Sequence, residues 1–481
     1  MLEKEATIPL SKVLLLPNGK GINKAYIDIL LSEEIPVFCV NHSEHIHRLI
    51  PFKQLYANDV SFWQKEGVWE HHLTGYGLNK LEETARAIVN SRLHQKKEEK
   101  TDKPEPEPKS EEAMLEEAFG SGYNDIVKMT KEEKVERLSK ESIWLNELLI
   151  KKSRDQIVIT EALTNTTKDT AMINHAILKE IIFFADDQAK AYSHDVVVYT
   201  SEIVRTSARL LSKNVFRDEL MRTIAEKSKG TVLQHITRVY LNGVAFLAYF
   251  NNMISSSSTI MKIRNSFTLK YRKFYQALLP HIDSYNLGLD QVFMGGLRVI
   301  SPEMFFKWSV GFLIHDVGKA ADIQYHEGGG AYDRTKVVNH VMVGYNSISQ
   351  KTNYPKESAL IVGYHHEYYG DPDGYGPYRD DLQEYKSSVA DAKQDFCITY
   401  ELESILEFKA LSYFPAKVLE IIDVYDALTD PRRVYRKPLT SEEALDLISK
   451  EFIIKHHKID PILFDIFIDF VHDNNRAETG A

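Results

Sequence analysis

SPEMFFKWSVGFLIHDVGKAAD, Ser301 to Asp322, decides how this chain is read. Ser301 suits a helix N-cap and Pro302 the first helical position. Phe305, Phe306, Trp308, Phe312, Leu313 and Ile314 then make an apolar helix. That helix ends by presenting His315 and Asp316, followed by Gly318 and Lys319. Burying an imidazole and a carboxylate without partners is costly, so the pair needs hydrogen bonds or a metal. A bare His-Asp pair says little: His194–Asp195 in SHDVVVY lacks the Gly-Lys and opens a polar-to-apolar transition, so it reads as structural.

Four more segments repeat the interruption. DRTKVVNHVMVGYNSI sets His340 among Val337, Val338, Val341 and Val343. YPKESALIVGYHHEYYG is a helix that ends in His365 and His366 and runs into the glycine-rich loop DPDGYGPY. PAKVLEIIDVYDALTD puts Asp423 and Asp426 three apart, on one helix face. GTVLQHITRVYLNG offers His235. Each has a plainer reading: a lone histidine on an apolar helix is usually a satisfied core residue. Together, His235, His315, Asp316, His340, His365, His366 and Asp423 bring five imidazoles and two carboxylates to one helical region. Mixed nitrogen and oxygen donors without thiolate suit Fe, Mn or Zn rather than an iron–sulfur cluster. Seven ligands are too many for one ion. They suit two, with Asp316 bridging, an arrangement used for in-line phosphoryl displacement.

The surrounding chain has 481 residues, room for roughly two to four domains. It is 43% hydrophobic and carries a formal charge of −10, which argues against a general binder of nucleic-acid polymers or membrane surfaces. Cys39 and Cys397 cannot form a disulfide framework. The start MLEKEATIPLSKVLLL has no signal-peptide pattern and no apolar run approaches a membrane span, so a cytoplasmic protein without membrane insertion is expected. Residues 1–92 read as a small α/β module, with SKVLLL and IPVFCV as strands and AYIDILLSEE as a helix. His42, His45 and His47 there read as a solvated strand end. Residues 93–114, which include KKEEKTDKPEPEPKSEE, read as a charged Pro-rich linker. Residues 115–212 read as a helical connector that either forms a homodimer or relays a signal, and 213–475 as the domain that carries the chemistry. The fold class expected is mainly α.

HDVGK, the histidine of VVNHVMVGY, HHE with its Gly-Tyr-Pro loop, and IIDVYDALTD followed by RRVYR together resemble the HD-GYP family of the HD phosphohydrolase superfamily. The resemblance covers residues 215 to 475, with four motif blocks in order. It implies an all-helical phosphohydrolase domain. It also implies a metal-dependent phosphodiesterase that opens cyclic di-GMP to pGpG, with GMP as a further product, by attack of a metal-bridging hydroxide. The implied cofactors are two divalent ions, Fe or Mn. By position, His235, His315, Asp316, His340, His365, His366 and Asp423 match the metal ligands, and Asp426 a structural neighbour. Lys319 matches the lysine near the phosphate, catalytic with Asp316. Lys319, Arg433 and Arg436 match substrate-binding positions, and Tyr375 of the variant loop joins them as a substrate-binding candidate. The chain departs from the family in its loop, where Gly376 separates Tyr375 from Pro377, in the inserted YYGDP, and in RVYR preceded by Arg432. Thr231 stands where some members carry a glutamate for a third metal.

Several residues keep two readings. Lys319 is a phosphate ligand or a helix-end lysine. Arg432 and Lys437 join a cationic patch or make ordinary salt bridges. Tyr368, Tyr369, Tyr375 and Tyr378 stack on bases or pack the loop. Glu367 accepts from a histidine or caps a helix. Two other functions stand beside the phosphodiesterase: a cyclic di-GMP receptor with a degenerate loop, and a phosphohydrolase for another nucleotide. The N-terminal module would bind a regulator that the sequence does not identify.

Overall fold

The computed structural model describes residues 7–10, 24–33, 35–41, 46–52, 69–74, 80–81, 84, 119–120, 122–151, 155–212, 232–321, 334–430 and 437–479. The chain divides into two compact units, Met1–Pro108 and Lys109–Ala481. SKVLLL and the charged Pro-rich segment lie outside the described residues.

The first unit is a four-stranded antiparallel sheet with a helix. Its elements are β1 (Thr7–Pro9), α1 (Lys24–Ser32), β2 (Pro36–Asn41), β3 (Ile46–Pro51) and β4 (Trp69–Thr74). Strand order is β1-β4-β2-β3, with Val37 opposite both Ile50 and Leu73. Val, Phe and Cys in β2 favour the extended backbone. Ile27, Leu30, Val37, Phe52, Leu73 and Leu81 form its core.

The second unit is mainly helical. Its principal helices begin with α2 (Lys131–Ile150), α3 (Gln156–Ile181), α4 (Asp186–Leu211) and α5 (Val232–Ile254). They continue with α6 (Pro302–Ile314), α7 (Arg334–Lys351), α8 (Lys356–Tyr364) and α9 (Pro377–Ser388). The chain then forms β5 (Phe396–Thr399), β6 (Ala410–Tyr413), α10 (Phe414–Thr429) and α11 (Pro461–Thr479), with further helices in the connections. Local chemistry sets several starts. Thr130 and Glu133 close a capping box on α2, and the Ser301 side chain accepts from the Met304 N–H at α6, where Pro302 fills the first position.

One feature departs from an all-helical expectation. β5 and β6 form a parallel pair, with Phe396 opposite Ala410 and Thr399 opposite Tyr413. Their side chains are largely buried, so FCIT and ALSY carry none of the alternation that marks a half-exposed strand. The pair feeds directly into α10.

α5 packs on α3, α6 and α10, and α8 packs on α6, α7 and α10. The 3-10 turn Val317–Ala321, which follows α6, lies against α3 and α7. A Cβ on Gly318 would stand 1.9 Å from the His340 carbonyl oxygen, so this turn meets α7 only because residue 318 has no side chain. The ends of α6 and α8, the interior of α7 and one face of α10 converge there on the first turn of α5.

Candidate metal centre

His235 comes from the first turn of α5, His315 caps the C-terminus of α6, and Asp316 follows it. His340 lies on α7, His365 caps α8, His366 follows it, and Asp423 sits midway along α10. All seven are buried. Ligand atoms of His235, His315 and Asp316 lie within 4.8 Å of one another, and so do those of His340, His365 and His366. The structure thus gathers six of the seven residues into two adjoining groups.

Asp316 stands between the groups. Its Oδ2 is 3.5 Å from Nε2 of both His235 and His315, and its Oδ1 is 3.2 Å from Nε2 of His340. Asp423 joins from the other side, with Oδ1 2.9 Å from His235 Nε2 and Oδ2 3.9 Å from His366 Nε2. Lys319, partly buried on the 3-10 turn, contacts Asp316 Oδ2.

Helix ends fix the imidazole tautomers. Nδ1 of His315 donates to the Phe312 carbonyl and Nδ1 of His365 to the Val362 carbonyl, each at 2.9 Å. A carbonyl only accepts, so Nδ1 carries the proton and Nε2 keeps its lone pair. Both Nε2 atoms are buried and have no hydrogen-bond partner among the described residues. Leaving such an atom unsatisfied costs on the order of 1–3 kcal/mol, and a cation in each group would answer it.

The electrostatics agree. Burial lowers the pKa of His315, and drives that of His366 to about 3, so both rings are neutral ligands near pH 7. Burial opposes the charge on Asp316 and Asp423, but Lys319 beside Asp316, and His235 beside Asp423, hold both carboxyls well below the usual range. Burial also opposes a charge on His235. Hydrogen bonds to Asp423 and Asp426 outweigh it and lift the ring to about 9. His235 must therefore lose a proton before it can coordinate.

Behind His235 lies a support that the sequence reading did not assign. Its Nδ1 is 2.7 Å from Asp426 Oδ2. Arg238 grips Asp426 through Nε at 2.6 Å and Nη2 at 2.8 Å, and reaches Asp430 at 2.8 Å. The available signal was spacing: Arg238 is three residues after His235 on one helix face, and Asp430, the C-cap of α10, is four after Asp426.

The loop residues separate. Tyr375 stands beside the ligand cluster, its ring centroid 4.7 Å from His366 and 6.2 Å from His340, and its N–H donates to the His366 carbonyl. Tyr378 is buried and donates to the Ala410 carbonyl. Tyr369 donates to Asp460 and lies over the Lys417 ammonium. These two pack the loop. Glu367 touches no histidine through its carboxylate. It accepts from the N–H groups of Tyr378 and Arg379 and so caps α9. Arg432, Arg433 and Arg436 lie outside the described residues, while Lys437 is exposed. His194 and Asp195 sit on the exposed face of α4, where Asp195 pairs with Lys131 at 3.8 Å.

No helix among the described residues is long and apolar enough to cross a membrane. No family model, curated protein or solved structure matches the chain.

Proposed function

We propose that the chain is a metal-dependent phosphodiesterase of the HD-GYP kind that hydrolyses cyclic di-GMP to pGpG. One observation carries the reading: a single carboxylate, Asp316, stands between two groups of buried imidazoles, with lone pairs of His315 and His365 left unanswered. The donor set fits two divalent ions, Fe or Mn. His235, His315 and Asp423 would hold one, His340, His365 and His366 the other, and Asp316 both. When bound, such a pair supplies Lewis acidity and lowers the pKa of water for attack on a phosphodiester.

The chain's own groups do the rest. The Nδ1–H bonds to Phe312 and Val362 orient His315 and His365 before any ligand arrives. Asp426 and Arg238 do the same for His235. Lys319, held by Asp316, is placed to turn toward a phosphoryl oxygen and stabilise its charge. Tyr375 borders the histidines where a guanine base would lie. Arg433 and Arg436 are assigned to the ligand phosphates by their match to the family motif alone.

The test is purification under anaerobic conditions with iron or manganese, counting metal per chain and following cyclic di-GMP by chromatography. The expected result is about two ions per chain, with turnover that His315→Ala and Asp316→Ala abolish. Metal without turnover points to another nucleotide substrate. Cyclic di-GMP binding with neither metal nor turnover replaces the enzyme with a receptor.

A further inference from the structure

We infer that the cavity between α4, α5 and the first turn of α6 binds an amphipathic organic anion, at a site remote from the metal centre. The cavity holds about 550 Å³, a volume suited to a small organic ligand. α4 contributes Arg205 and Arg209, one turn apart on a single face. Both are exposed, and neither has a carboxylate partner among the described residues. Arg137, Arg238 and Arg298 behave differently, since each sits on an acid. The Arg205 guanidinium lies 4.7 Å from the centroid of the Phe306 ring, a cation–π contact that fixes its position.

Below the arginines the lining is apolar, through Ala208, Ala248, Ile300, Phe305 and Phe306. The rim is pinned by Asn251, whose amide donates to the Ile300 carbonyl at 3.1 Å and accepts from its N–H at 2.8 Å. One acid lines the cavity, Glu303, and its carboxylate is held 2.9 Å from Lys307. Two unpaired guanidiniums over an apolar floor select a molecule with an anionic head and an apolar body. A bare inorganic anion leaves the floor empty, and a neutral molecule leaves the arginines unanswered.

Helix geometry sets the separation. Asn251 lies sixteen residues along α5 from His235, about 24 Å at the α-helical rise. Pro302 lies thirteen residues along α6 from His315, about 20 Å. The occupant would touch the far ends of the two helices that deliver His235 and the His315–Asp316 pair. This site needs no metal, so its fate is independent of the phosphodiesterase reading.

The experiment is calorimetric titration of the full chain, stripped of metal by chelation, with 1-naphthalenesulfonate, a weak metal ligand. 1-Naphthalenemethanol and inorganic sulfate serve as the two halves of the probe. One saturating site is expected, about tenfold weaker or more after Arg205→Gln with Arg209→Gln, because charge-assisted bonds to the head are lost. The exposed arginines can be replaced without disturbing the core. Ala248→Phe, which fills the floor and spares both arginines, is expected to abolish binding as well. Absence of saturable binding, equal affinity in the double arginine variant, or equally tight binding of the neutral alcohol would overturn the assignment.

Discussion

Three of the proposed ligands, His235, His315 and His365, are oriented by a neighbour one helical turn away or one helix across, so single atoms carry their properties. Asp426 is the clearest case: it accepts from His235 Nδ1 on one side and holds the Arg238 fork on the other. Asp426→Asn keeps the shape but removes the charge that orients the ring. Loss of such a supporting group costs about 10–100-fold in metal affinity. A competitive chelator titration should show that drop with an unchanged far-UV circular dichroism spectrum. Unchanged affinity would reduce Asp426 to a partner of Arg238. Gly318 is the second case. A methyl group there meets the His340 carbonyl at 1.9 Å, and a backbone oxygen cannot swing aside as a flexible side chain does. Gly318→Ala should destabilise the chain by about 1–3 kcal/mol, the range for overpacking. It should also weaken metal binding, because the atom displaced belongs to His340. A urea midpoint equal to that of the unmodified chain would mean that the turn and α7 separate freely.

At the scale of elements, α10 does two jobs, and only one was legible in the sequence. Asp423 and Asp426 stand out because acids on an apolar helix demand an answer. Lys417 and Glu420 lie on the same helix and pair with each other in a fully buried setting. They went unread because an i, i+3 pair on a helix is ordinarily a surface feature. Lys417 also donates to the Lys458 carbonyl and lies under the Tyr369 ring, tying α10 to the loop after His366 and to the approach to α11. Burial, only partly offset by Lys417, pushes Glu420 up to about 7 from an ordinary 4.5. A carboxyl raised on folding contributes stability that is complete below 4.5 and is lost as pH climbs through about 7. Lys417→Met leaves that carboxyl without its cation. The cost should therefore be large near pH 8, about 3–5 kcal/mol, and smaller near pH 5, where Glu420 is protonated. Adding Glu420→Gln should recover most of the loss, since a buried pair replaced as a unit is close to neutral. Urea denaturation of the single and double variants at the two pH values checks this, and a single variant with no pH-dependent cost would contradict it. The start of α6 was readable from Ser301 because its cap is local. For Glu367 capping was one of two readings, and the sequence could not choose between them because Glu367 reaches α9 across a loop whose backbone enters the left-handed region at Tyr368 and Tyr369.

For the whole molecule, the sequence carried the centre further than it carried the architecture around it. Histidines and acids that interrupt apolar helices are conspicuous in a string of letters. The packing of α3 against the Val317–Ala321 turn, and the short parallel pair that launches α10, depend on contacts between distant segments that no local pattern encodes. The division of labour along the chain is nevertheless testable. The apolar core of the second unit runs from Phe119 to Val471, and that of the first is a separate cluster from Leu10 to Leu81. Every proposed ligand, with Asp426 and Arg238 behind them, lies after Lys109. A chain that begins at Lys109 therefore keeps its whole core and its whole ligand set. It should unfold cooperatively and bind the same number of ions per chain as the full protein, read by calorimetry and by metal analysis. Loss of the metal from an otherwise folded Lys109–Ala481 chain would mean that the N-terminal unit takes part in building the centre. Retention would leave that unit free to regulate or localise a centre that assembles without it.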